Sequence, residues 1–177
     1  MKSVVVYESM YGNTHLIAQA IGEGLAEFGD VAVVPVHRAA AEIAGADLLV
    51  VGGPTHAHGL SRAATREGAI AAAAKPESPL EVDPDASGPG VREWLDSLDR
   101  IDIDAAAFDT RVDMSAVLTG RASKGIAHRL RHHGARLVVE PESFVVNRGD
   151  RLEPHEEDRA RNWAANLGRL RVEASRV

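Results

Sequence analysis

The stretch Val4-Val5-Val6-Tyr7-Glu8-Ser9-Met10-Tyr11-Gly12-Asn13-Thr14 runs an apolar strand into a short turn rich in hydroxyls and glycine. A helix follows, because Ile17, Ile21, Leu25 and Phe28 recur at helical spacing until Gly29-Asp30 stops them. The turn contains no lysine or arginine. Such a loop holds a phosphate with backbone N–H groups, side-chain hydroxyls and the positive end of the helix dipole. A P-loop needs G-x-x-x-x-G-K-[ST], and no Gly-Lys-Ser/Thr occurs in the chain. The turn therefore suits a nucleotide-like cofactor that stays bound and is not cleaved.

Working outward, strands and helices alternate. Val31 to Val36 reads as a second strand, Ala39 to Ile43 as a short helix, and Ala46 to Val51 as a third strand ending in Gly52-Gly53-Pro54. Residues 61–74 form an alanine-rich helix with Ser61 as its expected N-cap. Lys75 to Gly90, with prolines at 76, 79, 84 and 89, is a loop, and Val91, Trp94, Leu95 and Leu98 restart a helical stripe. Ala105 to Val112 is a fourth strand, Ala122 to His133 a helix, and Arg136 to Val146 a fifth strand interrupted at Pro141. Ala160, Trp163, Ala164, Leu167 and Leu170 share a face of the last helix. Trp94 and Trp163 both fall on core-facing positions. Apolar strands alternating with helices predict a parallel sheet covered on both faces by right-handed crossovers.

The composition narrows the possible chemistry. A length of 177 residues fits one domain spanning 1–177. The absence of cysteine removes disulfides, thiolate metal sites, iron–sulfur clusters and a cysteine nucleophile. No run is apolar enough to enter a membrane, and Met1-Lys2 leads straight into strand, so neither membrane insertion nor a signal peptide is expected and the cytoplasm is the default. Residues 1–90 hold 5 Lys/Arg against 11 Asp/Glu, whereas residues 91–177 hold 15 of each, which speaks against nucleic acid as a partner. Arg121, Lys124, Arg129, Arg131 and Arg136 crowd one segment and read as a solvated helix face. His56, His58, His132 and His133 have no spacing that demands a metal, so no metal site is expected.

The first loop has a companion. The third strand ends in Gly52-Gly53-Pro54-Thr55-His56-Ala57-His58-Gly59, rich in glycine and in side chains that hydrogen-bond. In an open α/β sheet, ligands sit beyond the carboxyl ends of the strands where the strand order reverses. If the order is 2-1-3-4-5, strands 1 and 3 are neighbours there and their two loops form one crevice. The loop after strand 4, Thr110 to Thr119, makes its far wall.

At these two loops the sequence resembles the flavodoxin superfamily. Ser9-Met10-Tyr11-Gly12-Asn13-Thr14 is similar to the family's phosphate loop, and Gly53-Pro54-Thr55 to the start of its second flavin loop. The resemblance covers essentially the whole chain. It implies a flavodoxin-like, doubly wound three-layer sandwich with a five-stranded parallel sheet, and FMN at the switch point; flavodoxin is itself a reference example of that geometry. By this resemblance, the side chains of Ser9, Asn13 and Thr14, with the N–H groups of Met10, Tyr11, Gly12, Asn13 and Thr14, bind the FMN phosphate. Pro54, Thr55, His56 and Gly59 border the ring, and Asp109 to Met114, including Thr110 and Arg111, face it from the other side. No residue is assigned as a catalytic acid or base, because flavin does the chemistry in this family.

The sequence also departs from the family. Electron-carrier flavodoxins usually cover the ring with aromatic side chains, yet residues 110–122 contain none, and the second loop offers His56 and His58 instead of tryptophan. The segment 77–104 holds nine acidic residues against Arg92 and Arg100, either a docking face for a basic redox partner or a solvated surface. Three functions follow from the resemblance: an FMN electron carrier serving a redox partner protein, an FMN-dependent NAD(P)H:quinone-type reductase, and a binding module that has lost FMN. Other uses of the architecture fail on residue type. The tyrosine-phosphatase reading lacks its cysteine, a receiver domain lacks its aspartate at Val50-Val51-Gly52-Gly53, and no G-x-G-x-x-G follows the first strand.

Overall fold

The computed structural model describes residues 1–56 and 58–174; Ala57, part of the second loop, lies outside the described residues. Its strands are β1 (Lys2–Tyr7), β2 (Asp30–Pro35), β3 (Leu48–His56), β4 (Gly59–Leu60), β5 (Asp104–Val112), β6 (Arg136–Leu137) and β7 (Glu142–Val146). The helices are α1 (Asn13–Leu25), α2 (Ala39–Glu42), α3 (Ala63–Ala73), α4 (Val91–Asp96), α5 (Ala116–Thr119), α6 (Ala122–His132) and α7 (Glu156–Ala174). The sheet runs β2-β1-β3-β5-β6, with β7 also pairing to β5. The expected fourth strand is β5. The expected fifth strand is split: β6 pairs with Asp104 and Ala105 at the start of β5, while β7 pairs with Phe108 to Val112 at its end. Pro141 stands in the break, where the missing N–H removes a ladder donor. The predicted order 2-1-3-4-5 thus holds in its five positions.

Alternation along each strand sorts the two faces. Val4, Val6, Leu49, Val51, Ala105 and Ala107 pack against the side of α4 and α6, which contributes Trp94, Leu95, Ile126 and Leu130. Val5, Tyr7, Leu48, Val50, Ala106 and Phe108 face α1 and α7 through Ile17, Ile21, Leu25 and Leu167. Trp94 is buried, and Trp163 meets Phe144 edge-on with ring centroids 6.2 Å apart, so both tryptophans serve packing.

Three local expectations are corrected. The alanine-rich helix starts at Ala63, not at 61, and Ser61 is not its cap. Thr65 Oγ1 accepts from the Arg62 N–H at 2.8 Å, while Ser61 is buried and its hydroxyl accepts from Arg66 Nη1 at 3.1 Å. The third strand does not stop at Val51. It continues to His56, because Gly52, Gly53 and Pro54 still pair in parallel with Phe108, Asp109 and Thr110, and it then folds back antiparallel onto β4. Finally, Asp109 does not face the crevice. It is fully buried, and its Oδ2 accepts from the Ser123 N–H at 2.7 Å in the first turn of α6.

Candidate functional site at the carboxyl ends of the strands

β1 leads through Ser9 to Gly12, whose φ of 90° lies in the left-handed region. A side chain there costs about 1–2 kcal/mol, so the turn into α1 depends on glycine. The Gly12 N–H donates to Ser9 Oγ at 3.1 Å, which closes the turn on itself. No side chain caps α1, and its first turn carries no acidic residue. The amides of Asn13, Thr14 and His15 therefore have no helical acceptor and offer a positive end to an anion.

Tertiary contacts hold this turn from three sides. Thr14 and Thr110 hydroxyls meet at 2.7 Å, joining α1 to the end of β5. The Asn13 side chain donates to the Asp150 carbonyl at 2.9 Å, joining it to the connection between β7 and α7. Tyr11 Oη donates to the Ala69 carbonyl at 2.9 Å, and the Asp83 N–H donates to the Met10 carbonyl at 2.8 Å. Ser9, Met10 and Thr14 are each nearly inaccessible as a result.

The cleft bounded by this turn is also lined by Pro54, Thr55 and His56 from β3 and by Thr110, Arg111 and Val112 from β5. Ser9, Met10, Tyr11, Asn13 and Thr14 complete its inner wall. Of the residues predicted by the resemblance, Gly12, Gly59, Asp109, Asp113 and Met114 do not line this cavity, and the others do. Gly12 acts through its backbone angle, and Gly59 sits in β4 opposite His56. Thr55 is engaged elsewhere as well, since its Oγ1 accepts from the Ala122 N–H at 2.9 Å and helps start α6. Gly120, at φ 74°, lies against the His58 carbonyl so closely that a Cβ would fall 2.0 Å from the oxygen. These contacts fasten the second loop to the end of the third.

Sequence reasoning missed Val146 and Asp150, which line the cleft from the far side. The turn cluster Asn147-Arg148-Gly149-Asp150 was the available signal. Asp150 has φ 58°, and its Oδ2 is buried with no hydrogen-bond partner. Burial raises its pKa, favouring the neutral carboxyl that donates a hydrogen bond. Arg111 Nε is likewise buried without a partner. Burial pushes the His56 imidazole below its ordinary range; Glu8 opposes the shift and Arg66 adds to it. His56 is thus neutral at pH 7.

The enclosed volume is about 110 Å³. Small-molecule pockets run to about 300–1,000 Å³, so the enclosed part suits a phosphate and its chain, with any ring lying along the open rim. A larger hollow of about 460 Å³ lies between Ala46, Asp102, Arg136 and Arg171. It opens at the amino ends of β3 and β5, opposite the end where such sheets bind ligands. Arg136 there forms a two-pronged pair with Asp104 at 2.6 and 2.8 Å, and the smaller cleft is the better-equipped site.

Known proteins share this fold. The Flavodoxin family model matches residues 5–92, the half of the chain with both loops. The chain belongs to the flavodoxin-like superfamily. No curated protein matches its sequence. Among solved structures, a flavodoxin from the domain Archaea is 20% identical, with a TM-score of 0.65 over 97% of this chain and 99% of that one. A flavodoxin, WrbA-like protein from Agrobacterium tumefaciens is 18% identical, with a TM-score of 0.63 over 97% and 98% of the two chains. Oxidised Flavodoxin 2 from Bacillus cereus is 22% identical, with a TM-score of 0.61 over 98% and 99%. Identities this low speak to the flavodoxin-like fold alone. Among the described residues, no helix is long and apolar enough to cross a membrane.

Proposed function

We propose that the chain is an FMN-binding electron carrier, with residues 1–177 acting as one flavodoxin-like domain in the cytoplasm. The observation that carries this reading is the uncapped start of α1 behind Gly12, meeting the ends of β3 and β5 in one hydroxyl-lined cleft. The donor set fits a phosphate: free helical amides, the hydroxyls of Ser9 and Thr14, and the Asn13 amide. Pro54, Thr55, His56 and Gly59 would border one side of the ring, and Thr110 and Arg111 the other. Bound FMN supplies the redox chemistry, taking and returning electrons through its ring. The protein's own residues orient it. Neutral His56 adds no positive charge at the rim, and the Arg111 guanidinium supplies one from β5.

A redox partner protein is the proposed client. The segment after β5 supports this, since Met114, Val117 and Leu118 are exposed apolar side chains that follow in the chain after the cleft-lining Thr110, Arg111 and Val112. A second reading, an FMN-dependent NAD(P)H:quinone-type reductase, is favoured by the absence of any aromatic residue in 110–122, which leaves one face of the ring open to a small acceptor.

Titration of the purified protein with FMN, followed by flavin fluorescence, tests the common part. Saturable one-to-one binding is the expected result. A failure to bind at high micromolar FMN would sink both redox readings and leave a binding module that has lost its cofactor. With binding established, steady NAD(P)H oxidation in the presence of a quinone selects the reductase, and its absence selects the carrier.

A further inference from the structure

On the outer side of the phosphate turn, away from the cleft, lies a second cluster with its own chemistry. His15 projects from the first turn of α1, and its Nδ1 is 3.2 Å from Asp83 Oδ2. Asp85 follows in the same proline-rich segment. Among the described residues, His15, Asp83 and Asp85 form the group of His, Asp and Glu whose available ligand atoms all come within 4.8 Å of one another. His37, in the turn after β2, brings its Nε2 to 4.0 Å from Asp85 Oδ1. Two imidazoles and two carboxylates thus converge from three separate parts of the chain.

Charge makes this cluster unusual. The Asp83 side chain is only 1% exposed, yet among the described residues neither it nor Asp85 forms a salt bridge with a lysine or arginine. The ion pairs they form are with His15 and His37, while Arg38 lies near enough to act on Tyr7 beside them. A buried carboxylate is ordinarily paired with a permanent cation or bound to a metal. His15 Nδ1 and Asp83 Oδ2 hydrogen-bond at 3.2 Å, and the same spacing is open to a metal bridging them. Ligands about 2.0–2.2 Å from a tetrahedral Zn²⁺ stand about 3.3–3.5 Å apart, close to the separation of His15 Nδ1 and Asp83 Oδ2. His37 and Asp85 are partly exposed, at 43% and 32% of their side-chain surface, and are free to close the remaining gap.

An outer shell is also present. Tyr7 Oη donates to Asp85 Oδ2 at 3.2 Å, leaving Oδ1 toward His37. The Tyr7 ring stacks on the His15 ring, with centroids 4.5 Å apart and planes 18° from parallel. Gln19 Nε2 lies 3.2 Å from His15 Nε2 and fixes the plane of the ring. The Asp85 N–H donates to Asp83 Oδ1 at 2.9 Å. Outer partners of this kind orient metal ligands and tune their basicity.

We propose that His15, Asp83, Asp85 and His37 form a site for a divalent cation of Zn²⁺ type. Mixed nitrogen and oxygen donors select such an ion over Mg²⁺ or Ca²⁺, which take oxygen alone. The site has a structural consequence. Asp83 holds the Met10 carbonyl through its own N–H, so a metal there clamps residues 75–90 to α1 and to the phosphate turn. The site stands independently of any FMN in the cleft.

The test is a Zn²⁺ titration of the purified full chain against a chromophoric chelator, repeated with Mg²⁺. Asp83→Asn disturbs a buried group, so the more exposed variants His15→Gln and Asp85→Asn carry the experiment, with circular dichroism showing that each remains folded. One tight Zn²⁺ per chain is expected, with Mg²⁺ far weaker. Each variant should lose more than tenfold in affinity, since even an outer partner is worth about 10–100-fold. The double variant His132→Gln/His133→Gln, at the end of α6, should bind as the parent does. Absence of Zn²⁺ binding, equal affinity for Mg²⁺, parental affinity in either His15→Gln or Asp85→Asn, or loss confined to the His132/His133 variant would overturn the proposal.

Discussion

The turn Ser9–Thr14 lines the cleft, the segment after β5 continues from the strand that forms its far wall, and the two are built in opposite ways. Around the turn, Met10, Tyr11, Asn13 and Thr14 are tied to four other parts of the chain, and Ser9 and Thr14 are almost wholly buried. After β5, Val117 is 89% exposed and Leu118 60%. Asp113 still donates its N–H to the Val146 carbonyl at 2.9 Å, but from Met114 to Thr119 the hydrogen bonds are local, as between Ser115 and Thr119. The difference teaches how the work of the site is divided. An anion needs donors held in place before it arrives, because donors that must be ordered on binding give back part of the gain. A surface that meets a partner or a small acceptor transiently needs accessibility more than rigidity. Residues 110–122 carry no aromatic side chain, so the proposed affinity for FMN would rest on the rigid side.

The sharpest way to break this contrast is to strip the rigid side. Asn13→Ala combined with Thr14→Ala should weaken FMN binding by about one to three orders of magnitude, because each bond to a charged group is worth about 1.5–3 kcal/mol. A fluorescence titration giving the parental Kd would mean that the anion site has been misplaced. A smaller effect is expected from His56 at the junction of the two sides. Its folded-state pKa lies below the ordinary 6.5, so the unfolded chain takes up the proton first as pH falls. Its contribution to stability is complete above about pH 6.5 and is lost as pH drops through the lowered value. Urea unfolding on either side of that pH should show a gentler acid loss in His56→Gln than in the parent, and identical slopes would place the imidazole in an ordinary aqueous setting. The smallest effect belongs to the open side. Val117→Ser with Leu118→Ser should leave stability within about 0.5 kcal/mol and the FMN Kd unchanged. A clear loss of either would show that the segment closes over the cofactor, and the contrast would fall.

Much of this architecture was legible in advance because its signals are local. The buried run Val4–Val6, the helical spacing of Ile17, Ile21 and Leu25, and glycine at position 12 each report on a few neighbouring residues. The misreadings share the opposite property. Ser61 looked like a cap by residue type, but Arg66 and Arg92 claim its hydroxyl and its carbonyl. Gly52-Gly53-Pro54 looked like a strand end, but β5 lies beside it and extends the ladder. Asp109 looked like part of the cleft wall, but the start of α6 takes its carboxylate into the interior. Asp150 carried too weak a signal, since a turn cluster does not say which loop it will meet.

The sequence by itself determined the alternating strands and helices and the glycine-bearing turn after β1, which periodicity and glycine placement encode within short windows of chain. The order of the sheet and the candidate site residues came through the resemblance to the flavodoxin superfamily. The tertiary structure alone decided which polar groups are already engaged and which remain free. Thr14 spends its hydroxyl on Thr110 and Asn13 its amide on Asp150, while Arg111 Nε and Asp150 Oδ2 are left buried and unpaired. It alone also gathered His15, His37, Asp83 and Asp85 into one cluster. Hydrogen bonding and ligand geometry depend on distances of a few ångströms between residues far apart in the chain, and only packing sets those distances.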